Sequence, residues 1–331
     1  MATMKAAVLH SPGGPEALRL KTVPIPTPQH GEVLIRIRAF GLNRSELFTR
    51  QGHSPGVRFP RILGIEATGT VAAAPGGEFR EGDIVATAMG GLGRAFDGGY
   101  AEYTCVPAGN VQAIDPDAAE GLAWDVLGAM PEMLQTAWGS VFKSLQLGQG
   151  DRLLIRGGTT SVGLAAAALA SNHRAQVMAT TRRKQEEIAE LMKQCGVAEV
   201  VIDSGKIAQD VRKIWPEGAD KVLELIGTVT LEDSMQSAKK GGLVCMAGIV
   251  GNEWTLNGWN PMESIPSGVY LTTYSGGRDE FIETPLSDMA RQIKAGKLKL
   301  QIGHTFALSD IADAHKLMEE NKALGKIVVL T

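Results

Sequence analysis

The sequence predicts an α/β protein in which a doubly wound parallel sheet follows a β-rich N-terminal third. From about residue 122, short apolar runs alternate with helical patterns and glycine turns, which is typical of βα units joined by right-handed crossovers. Before that point, short strands separated by Gly and Pro turns indicate a small β-barrel or sandwich. A chain of 331 residues is long enough for two such domains.

The β-rich third contains five predicted strands, at residues 5–9, 32–39, 67–73, 83–88 and 101–106. The last part of the chain, from about residue 278, reads as a helix (288–295), a strand (301–305), a helix (311–321) and a strand (327–330). This part has no second glycine-rich nucleotide turn, and we infer that it rejoins the N-terminal domain. The doubly wound domain is then an insertion.

A glycine-rich turn follows the apolar run of residues 152–156 and precedes the alanine-rich helix of residues 164–170. A helix that opens at such a turn directs free N–H groups and a favourable dipole at an anion. Compared with G-x-G-x-x-G, the turn has threonine in place of the middle glycine. We interpret it as the phosphate site of a dinucleotide, and the alternative is a tight turn with no ligand. The residues assigned are Gly158, Thr159, Thr160, Ser161, Val162 and Gly163.

The second strand of this domain, residues 176–180, runs into Thr181, Arg182, Arg183 and Lys184. An enzyme specific for NAD would have Asp or Glu here, for the ribose 2′-hydroxyl. A guanidinium pairs well with a 2′-phosphate, which an acid would repel. The sequence therefore predicts NADPH, with Thr181, Arg182 and Arg183 as contacts. The alternative is a solvated first turn of the next helix.

Further buried strands are predicted at residues 200–202, 221–225, 242–246 and 269–274, consistent with a sheet covered on both faces. The glycine turns at Gly227 and at Gly248 with Ile249 are assigned to the same cofactor. The run of residues 269–274 is β-branched and aromatic and carries no charge or proline. We expect it to be an edge strand that pairs with its copy in a homodimer, unless a helix covers it.

The composition argues against several classes of protein. Net charge is −3 and no basic stripe is present, which argues against a nucleic-acid partner. No apolar run reaches membrane length, and the first residues lack an apolar signal core. Three scattered cysteines, Cys105, Cys195 and Cys245, form no C-x-x-C pair. We therefore expect a cytoplasmic protein that acts on a small molecule.

Short motifs along nearly the whole chain fall in an order that resembles the medium-chain dehydrogenase/reductase superfamily, and within it the zinc-independent NADPH:quinone oxidoreductase branch. The resemblance implies a GroES-like catalytic domain at residues 1–121 and 276–331, with a Rossmann domain at 122–275 inserted into it. The motifs are Lys5-Ala-Ala-Val, Gly31-Glu-Val-Leu-Ile-Arg-Ile, Gly41-Leu-Asn-Arg-Ser-Glu, Gly64-Ile-Glu-Ala-Thr-Gly-Thr-Val, Glu81-Gly-Asp-Ile-Val, Gly99-Tyr-Ala-Glu-Tyr, Gln135-Thr-Ala-Trp and Gly325-Lys-Ile-Val-Val.

The zinc-dependent members of that superfamily have a cysteine in the segment that matches residues 43–46 and a histidine where this chain has Ile65. The four-cysteine lobe that holds their structural zinc has no counterpart between residues 85 and 105. Zinc needs three or four N, S or O ligands, so the sequence predicts no metal. We expect Glu66 to be a buried structural carboxylate, satisfied by backbone or by a nearby arginine.

Without a Lewis acid, hydride transfer favours an acceptor that is already electrophilic. We expect a quinone. The alternatives are an enone or enal and, from another class, a low-turnover NADPH-binding sensor or structural protein. By resemblance Asn43 is the catalytic residue, either as an N–H donor to the developing oxyanion or by positioning the nicotinamide. The alternative is an asparagine in a turn.

The resemblance also implies that Thr136 contacts the nicotinamide, although a helix cap is the alternative role. Phe48 and His53 occupy or adjoin the positions of an aromatic pair that lines the acceptor pocket in several quinone reductases. Lys326, in the closing motif, is assigned to the cofactor. No His, Tyr or Lys is clearly placed as a general acid, so the sequence leaves the proton donor open.

Overall fold

The computed structural model describes residues 2–331, which divide into two compact units. The first, called here the catalytic unit after the domain that the sequence predicts, comprises residues 2–135, Gly276–Gly296 and Ile302–Thr331. The second, the nucleotide unit, comprises Thr136–Ser275 and Lys297–Gln301. The two main changes of unit thus fall after residues 135 and 275, where the sequence predicts boundaries after 121 and 275.

The N-terminal part of the catalytic unit contains eight strands and four helices. The strands are β1 (Thr3–Leu9), β2 (Leu18–Pro24), β3 (Glu32–Gly41), β4 (Arg61–Ile62), β5 (Glu66–Ala73), β6 (Ile84–Ala88), β7 (Tyr103–Pro107) and β8 (Val111–Ala113). The helices are α1 (Arg44–Arg50), α2 (Pro116–Ala119), α3 (Trp124–Ala129) and α4 (Pro131–Trp138), whose last residues belong to the nucleotide unit.

The nucleotide unit then alternates strands and helices. Its strands are β9 (Arg152–Arg156), β10 (Gln176–Thr181), β11 (Glu199–Ile202), β12 (Ala219–Glu224), β13 (Ala238–Met246) and β14 (Tyr270–Thr273). Its helices are α5 (Ser161–Asn172), α6 (Glu186–Gln194), α7 (Ala208–Ile214), α8 (Thr228–Ser237) and α9 (Pro261–Ser264). The chain returns to the catalytic unit with α10 (Arg278–Glu283), α11 (Leu286–Lys294), β15 (Ile302–Ala307), α12 (Ile311–Glu319) and β16 (Lys326–Leu330).

The sheet of the nucleotide unit is parallel throughout, with the strand order β11-β10-β9-β12-β13-β14. This order confirms the predicted α/β class with a doubly wound parallel sheet. The predicted last strand, β14, lies at the edge of that sheet. The carboxyl ends of β9, β10 and β12 lie side by side, and a ligand binds at that end of such a sheet.

The catalytic unit is built on two sheets. Seven strands form the larger one, in the order β15-β16-β3-β5-β6-β8 with β7 paired to β3, and three form the order β2-β1-β4. Strand β16 pairs with β3 through Val328 opposite Gly41. This pairing places the start of β16 next to the loop after β3, although the two are far apart in sequence.

Several elements differ from the sequence prediction, which lacks the strands β2, β4 and β8. In β2, six of the seven residues are not buried, and the alternation of Leu18 and Leu20 with charged residues ends at Thr22. The predicted helix at residues 288–295 begins earlier, at Leu286, and a separate helix α10 precedes it, because Pro285 interrupts the run. In the described residues 2–331, no helix is both long and apolar enough to span a bilayer.

Candidate active site

The turn after β9 has the close backbone packing that glycine permits. Gly157 has φ of 91°, a left-handed conformation that disfavours other residues. A Cβ on Gly158 would lie 2.7 Å from the Cβ of Ala179, and a Cβ on Gly163 would lie 2.6 Å from the carbonyl oxygen of Gly157. Glycine is therefore required at these positions by packing between the turn, β10 and α5.

Thr160, the residue at the middle-glycine position, caps helix α5. Its hydroxyl oxygen accepts a hydrogen bond from the Gly163 N–H at 3.0 Å and donates to the Gly157 carbonyl at 2.9 Å. Helix geometry leaves the N–H groups of Ser161 and Val162 without an intrahelical acceptor. The threonine thus keeps the turn closed, while the first amides of α5 stay suited to an anion.

The structure brings several of the other predicted cofactor residues to the same end of the sheet. Thr181, the last residue of β10, is 4% exposed, and its hydroxyl accepts the Arg183 N–H at 3.1 Å. Arg182 is exposed beside it. A Cβ on Gly227 would lie 3.1 Å from the Gly248 carbonyl oxygen and 3.2 Å from the Ile249 Cα. The turns after β12 and β13 therefore touch, as a shared ligand site would require.

A fully buried guanidinium lies under the glycine turn, and the sequence prediction missed it. Arg156, the last residue of β9, is 0% exposed and donates to both oxygens of Asp203, at 2.9 and 3.0 Å. It also donates to Asp233 at 2.7 Å. Asp203 in turn accepts from the Thr180 hydroxyl, which accepts the Gly157 N–H at 3.2 Å. We call Arg156, Thr180, Asp203, Glu224 and Asp233 the Arg156 network.

The Arg156 network is saturated with hydrogen bonds. The guanidinium also donates to Ser234 Oγ and to the carbonyl oxygens of Thr230 and Gly205. Burial raises the pKa of Glu224, but both its oxygens have donors, from the Ile226 and Gly227 N–H groups and the Thr230 and Ser234 hydroxyls. The network connects the carboxyl ends of β9, β10, β11 and β12. Every N–H group of Arg156 is used within it, so none is left to bind a phosphate.

In the catalytic unit, Asn43 lies between β3 and α1 and is 8% exposed. It is the N-cap residue of α1, yet its side chain makes no capping hydrogen bond. Instead Nδ2 donates to Glu66 Oε1 at 2.9 Å and to Glu46 Oε1 at 3.3 Å, while Oδ1 accepts from Lys326 Nζ at 2.6 Å. An asparagine used in this way is not a simple turn residue.

Glu66 and Lys326 form a buried ion pair of 2.7 Å beside Asn43, and both side chains are at most 1% exposed. The second oxygen of Glu66 accepts the Glu132 N–H at 2.8 Å, and the Glu132 carboxylate lies 3.7 Å from Lys326. Burial lowers the pKa of Lys326, but these carboxylates outweigh it and raise that pKa. A Cβ on Gly41 would collide with Lys326 and Glu66, so the pair needs glycine there.

Glu46 completes this group, which we call the Asn43 cluster: Asn43, Glu46, Glu66, Glu132 and Lys326. Glu46 is 1% exposed, and its Oε1 accepts the Ile65 N–H at 3.0 Å. Its Oε2 is buried and has no hydrogen-bond partner among residues 2–331. Burial, with the Glu66 charge added, raises the pKa of Glu46 to about 7, although the Ile65 N–H and Lys326 lower it.

The contacts of Asn43, Lys326 and Glu66 bear on the roles predicted for them. Both N–H groups of the Asn43 amide are directed at carboxylates, so a substrate oxygen would have to compete with Glu46 or Glu66 for one of them. The Lys326 ammonium, which the sequence assigned to the cofactor, is buried against Glu66 and Asn43. Glu66 is a buried carboxylate, as expected, and among the described residues it is bonded to a backbone N–H, to Asn43 and to this lysine rather than to an arginine.

The other predicted residues are dispersed. Phe48 is 7% exposed on α1, and His53 is exposed after that helix, with its N–H bonded to the Phe48 carbonyl at 2.8 Å. Thr136 is the sixth residue of α4 and so does not cap the start of that helix. Spacing along α1 could have suggested Glu46, three residues after Asn43. Lys326, which donates to Asn43, is 283 residues away from it and gives no such signal.

The Asn43 cluster does not fit a zinc ion. The side chain at position 65 is an isoleucine that is 5% exposed, and it has no atom that can bind a metal. An ammonium already lies against the Asn43 oxygen and the Glu66 carboxylate. No group of three His, Cys, Asp or Glu side chains suited to a metal occurs in the described part of the chain, residues 2–331.

Two family models match this chain: the alcohol dehydrogenase GroES-like domain over residues 29–116 and the zinc-binding dehydrogenase over residues 195–329. A quinone oxidoreductase of Pongo abelii is 27% identical, over 99% of this chain and 98% of that protein. An acryloyl-coenzyme A reductase of Sulfurisphaera tokodaii is 26% identical, over 98% and 99%. A mycobacterial protein solved in complex with NADPH superposes with a TM-score of 0.86 at 26% identity, covering 99% of this chain and 100% of that one.

Proposed function

The chain belongs to the medium-chain dehydrogenase/reductase superfamily, and from that premise we propose that it transfers hydride from NADPH to a quinone without a metal ion. The Asn43 cluster carries this proposal. Its positive charge is the Lys326 ammonium, held against Asn43 and Glu66. By the resemblance, Asn43 and Ile65 stand in segments that supply zinc ligands in the zinc-dependent members. With no residue to activate an alcohol as a metal alkoxide, reduction of a conjugated acceptor is the chemistry that remains.

The nucleotide unit is suited to hold a dinucleotide. The first amides of α5 and the Gly157–Gly163 turn would take the pyrophosphate, and the touching turns at Gly227 and Gly248 would border it. Arg182 and Arg183 follow β10 where an acid would favour NAD, which supports NADPH. Bound NADPH would supply the hydride.

An enone or enal reductase is the second candidate. It is favoured by the similarity to the acryloyl-coenzyme A reductase, whose name describes reduction of a conjugated acyl group. Both kinds of acceptor develop negative charge on oxygen after hydride transfer, and a hydrogen-bond donor stabilises that charge. The Asn43 cluster could serve either acceptor.

The direct test follows NADPH absorbance with simple quinones, enones, enals and alcohols. We expect turnover with quinones and negligible oxidation of alcohols. Asn43→Ala should lower kcat by about tenfold or more and change NADPH affinity little, because the residue acts on the transition state. Efficient alcohol oxidation, or normal kcat in Asn43→Ala, would contradict the proposal. Absence of turnover with every acceptor would favour an NADPH-binding sensor.

A cytoplasmic homodimer completes the proposal. The edge strand β14 contains no charged residue or proline, and its Tyr270 is 63% exposed. An edge of this kind favours antiparallel pairing with its copy around a two-fold axis. Light scattering of the intact protein and of Leu271→Pro, which removes a ladder donor, would test it. A monomeric parent protein at micromolar concentration would exclude this dimer.

A further inference from the structure

We infer that Glu46 is a positioning residue that controls the Asn43 amide: as a neutral acid it leaves one Asn43 N–H available to the acceptor oxygen, and as a carboxylate it retains it. The inference rests on the proposed function and deepens it. It assigns a role to Glu46, a buried glutamate that has no part in the proposed hydride transfer as described above.

Hydrogen-bond geometry separates the two N–H groups of Asn43. The bond to Glu66 is short, at 2.9 Å, and is charge-assisted because Glu66 is paired with Lys326. The bond to Glu46 is longer, at 3.3 Å, near the limit for a useful hydrogen bond. Of the two, the N–H directed at Glu46 is therefore the one that a developing oxyanion could compete for.

Charge within the Asn43 cluster favours the neutral acid. The single ammonium, Lys326, is paired with Glu66 and has Glu132 at 3.7 Å. Glu46 is 1% exposed and lacks an ion-pair partner of its own among the described residues, and an unpaired buried carboxylate is costly. Its Oε1 already accepts two N–H bonds, so a proton would reside on the partnerless Oε2.

The charged and titratable groups around Glu46 offset the cost of its ionisation only in part. Glu66 on β5 repels a second negative charge, and Lys326 on β16 attracts it. Tyr100 has a pKa raised by burial and by both glutamates, and its hydroxyl bonds to His315 on α12. Burial lowers the pKa of His315 to about 3, so it stays neutral. Arg50, on the same helix as Glu46, is paired with Glu319.

These facts predict a rate that falls as pH rises through about 7. Ionised Glu46 would hold the Asn43 N–H by a charge-assisted bond and add a negative charge near the developing oxyanion. A charge change of this kind alters a rate by about tenfold. In Glu46→Gln, which cannot ionise, kcat should be independent of pH over this range.

The experiment has two parts, and the first uses the protein without acceptor. Infrared spectra at a series of pH values should show a protonated carboxyl band that titrates near pH 7 and is absent in Glu46→Gln. The second part measures kcat with NADPH and a quinone between about pH 5.5 and 8.5. As the pH rises through this range, kcat of the parent protein should fall about tenfold, and kcat of Glu46→Gln should stay constant. Glu263→Gln, a control at an exposed glutamate on α9, should keep the parent profile.

Either of two results would overturn the inference: a Glu46 that is already ionised at pH 5.5 in the infrared spectra, or a Glu46→Gln enzyme that retains the parent pH profile. Absence of NADPH oxidation with every acceptor would refute the proposed function instead, and the infrared titration would still determine the protonation state of Glu46. If Glu46→Gln fails to fold, the titration of the parent band near pH 7 supports the inference, and its absence refutes it.

Discussion

Two ionic groups built around buried cations, the Arg156 network and the Asn43 cluster, differ in how completely their polar atoms are satisfied. In the Arg156 network, one guanidinium pairs with Asp203 and Asp233, and both oxygens of Glu224 have donors. In the Asn43 cluster, Glu46 Oε2 has no partner within residues 2–331. A saturated network fixes structure, whereas a cluster with an unsatisfied acid can change its charge.

The two groups shift the pKa values of Asp203 and Glu46 in opposite directions. Burial acts to raise the pKa of Asp203, but the Arg156 guanidinium outweighs it and lowers that pKa. Burial raises the pKa of Glu46 to about 7, and the Lys326 ammonium, which is paired with Glu66, does not offset it. We therefore expect the Arg156 network to determine stability and the geometry of the turn, and the Asn43 cluster to determine turnover.

The largest expected effect is on folding. Arg156→Met would leave without a cation the Asp203 carboxylate, whose side chain is 8% exposed, and the partly buried Asp233. Breaking a buried pair of this kind costs about 3–5 kcal/mol. Urea denaturation followed by circular dichroism measures this loss. Arg278→Met, which removes a guanidinium that is 56% exposed and paired with Asp279, is the control and should cost about 0–1 kcal/mol. Equal losses in the two variants would mean that the Arg156 network contributes nothing special to stability.

A smaller effect should appear in cofactor choice. Arg182→Ala should raise KM for NADPH roughly tenfold and leave KM for NADH nearly unchanged, because only NADPH carries the 2′-phosphate. Steady-state kinetics with both cofactors measure it. Lys193→Ala removes an exposed cation from α6 of the same unit and should change neither value. Equal losses for NADPH and NADH in Arg182→Ala would make this residue structural.

The smallest expected effect concerns the glycine turn: a change there should weaken NADPH binding and leave the rate of the chemical step unchanged. Thr180→Val removes the hydroxyl that joins the Gly157 N–H to Asp203. Loss of one such bond costs about 1 kcal/mol, so calorimetry should find NADPH binding about fivefold weaker, with kcat retained. Thr180→Ser keeps the hydroxyl and should restore binding. A fall in kcat without a change in affinity would contradict the division of roles between the two groups.

Periodicity and turn residues were enough to predict the parallel sheet and most of its strands, because buried strands are short apolar runs between glycine turns. Strand β2 lacks that signal: its middle residues, Arg19 to Thr22, are all exposed. The final run of the nucleotide unit, β14, was predicted from β-branched and aromatic residues, and it does lie at the sheet edge.

The two ionic groups could not be predicted in the same way. Asn43 was identified by resemblance, but its partners Glu66 and Lys326 come from strands that meet only through the pairing of β16 with β3 and of β3 with β5. Arg156 stands beside the glycine turn in sequence, and its acids lie 47 and 77 residues later. Contacts of this kind depend on the folded arrangement, which local patterns do not specify.

The central claim is that the Asn43 cluster works with the Lys326 ammonium and without a metal ion. Elemental analysis of the purified protein, combined with NADPH and quinone turnover before and after dialysis against a chelator, tests it most directly. We predict no stoichiometric zinc and full activity after dialysis. One tightly held zinc per chain, with activity lost on its removal and regained on its return, would contradict the account of Asn43, Ile65 and Lys326.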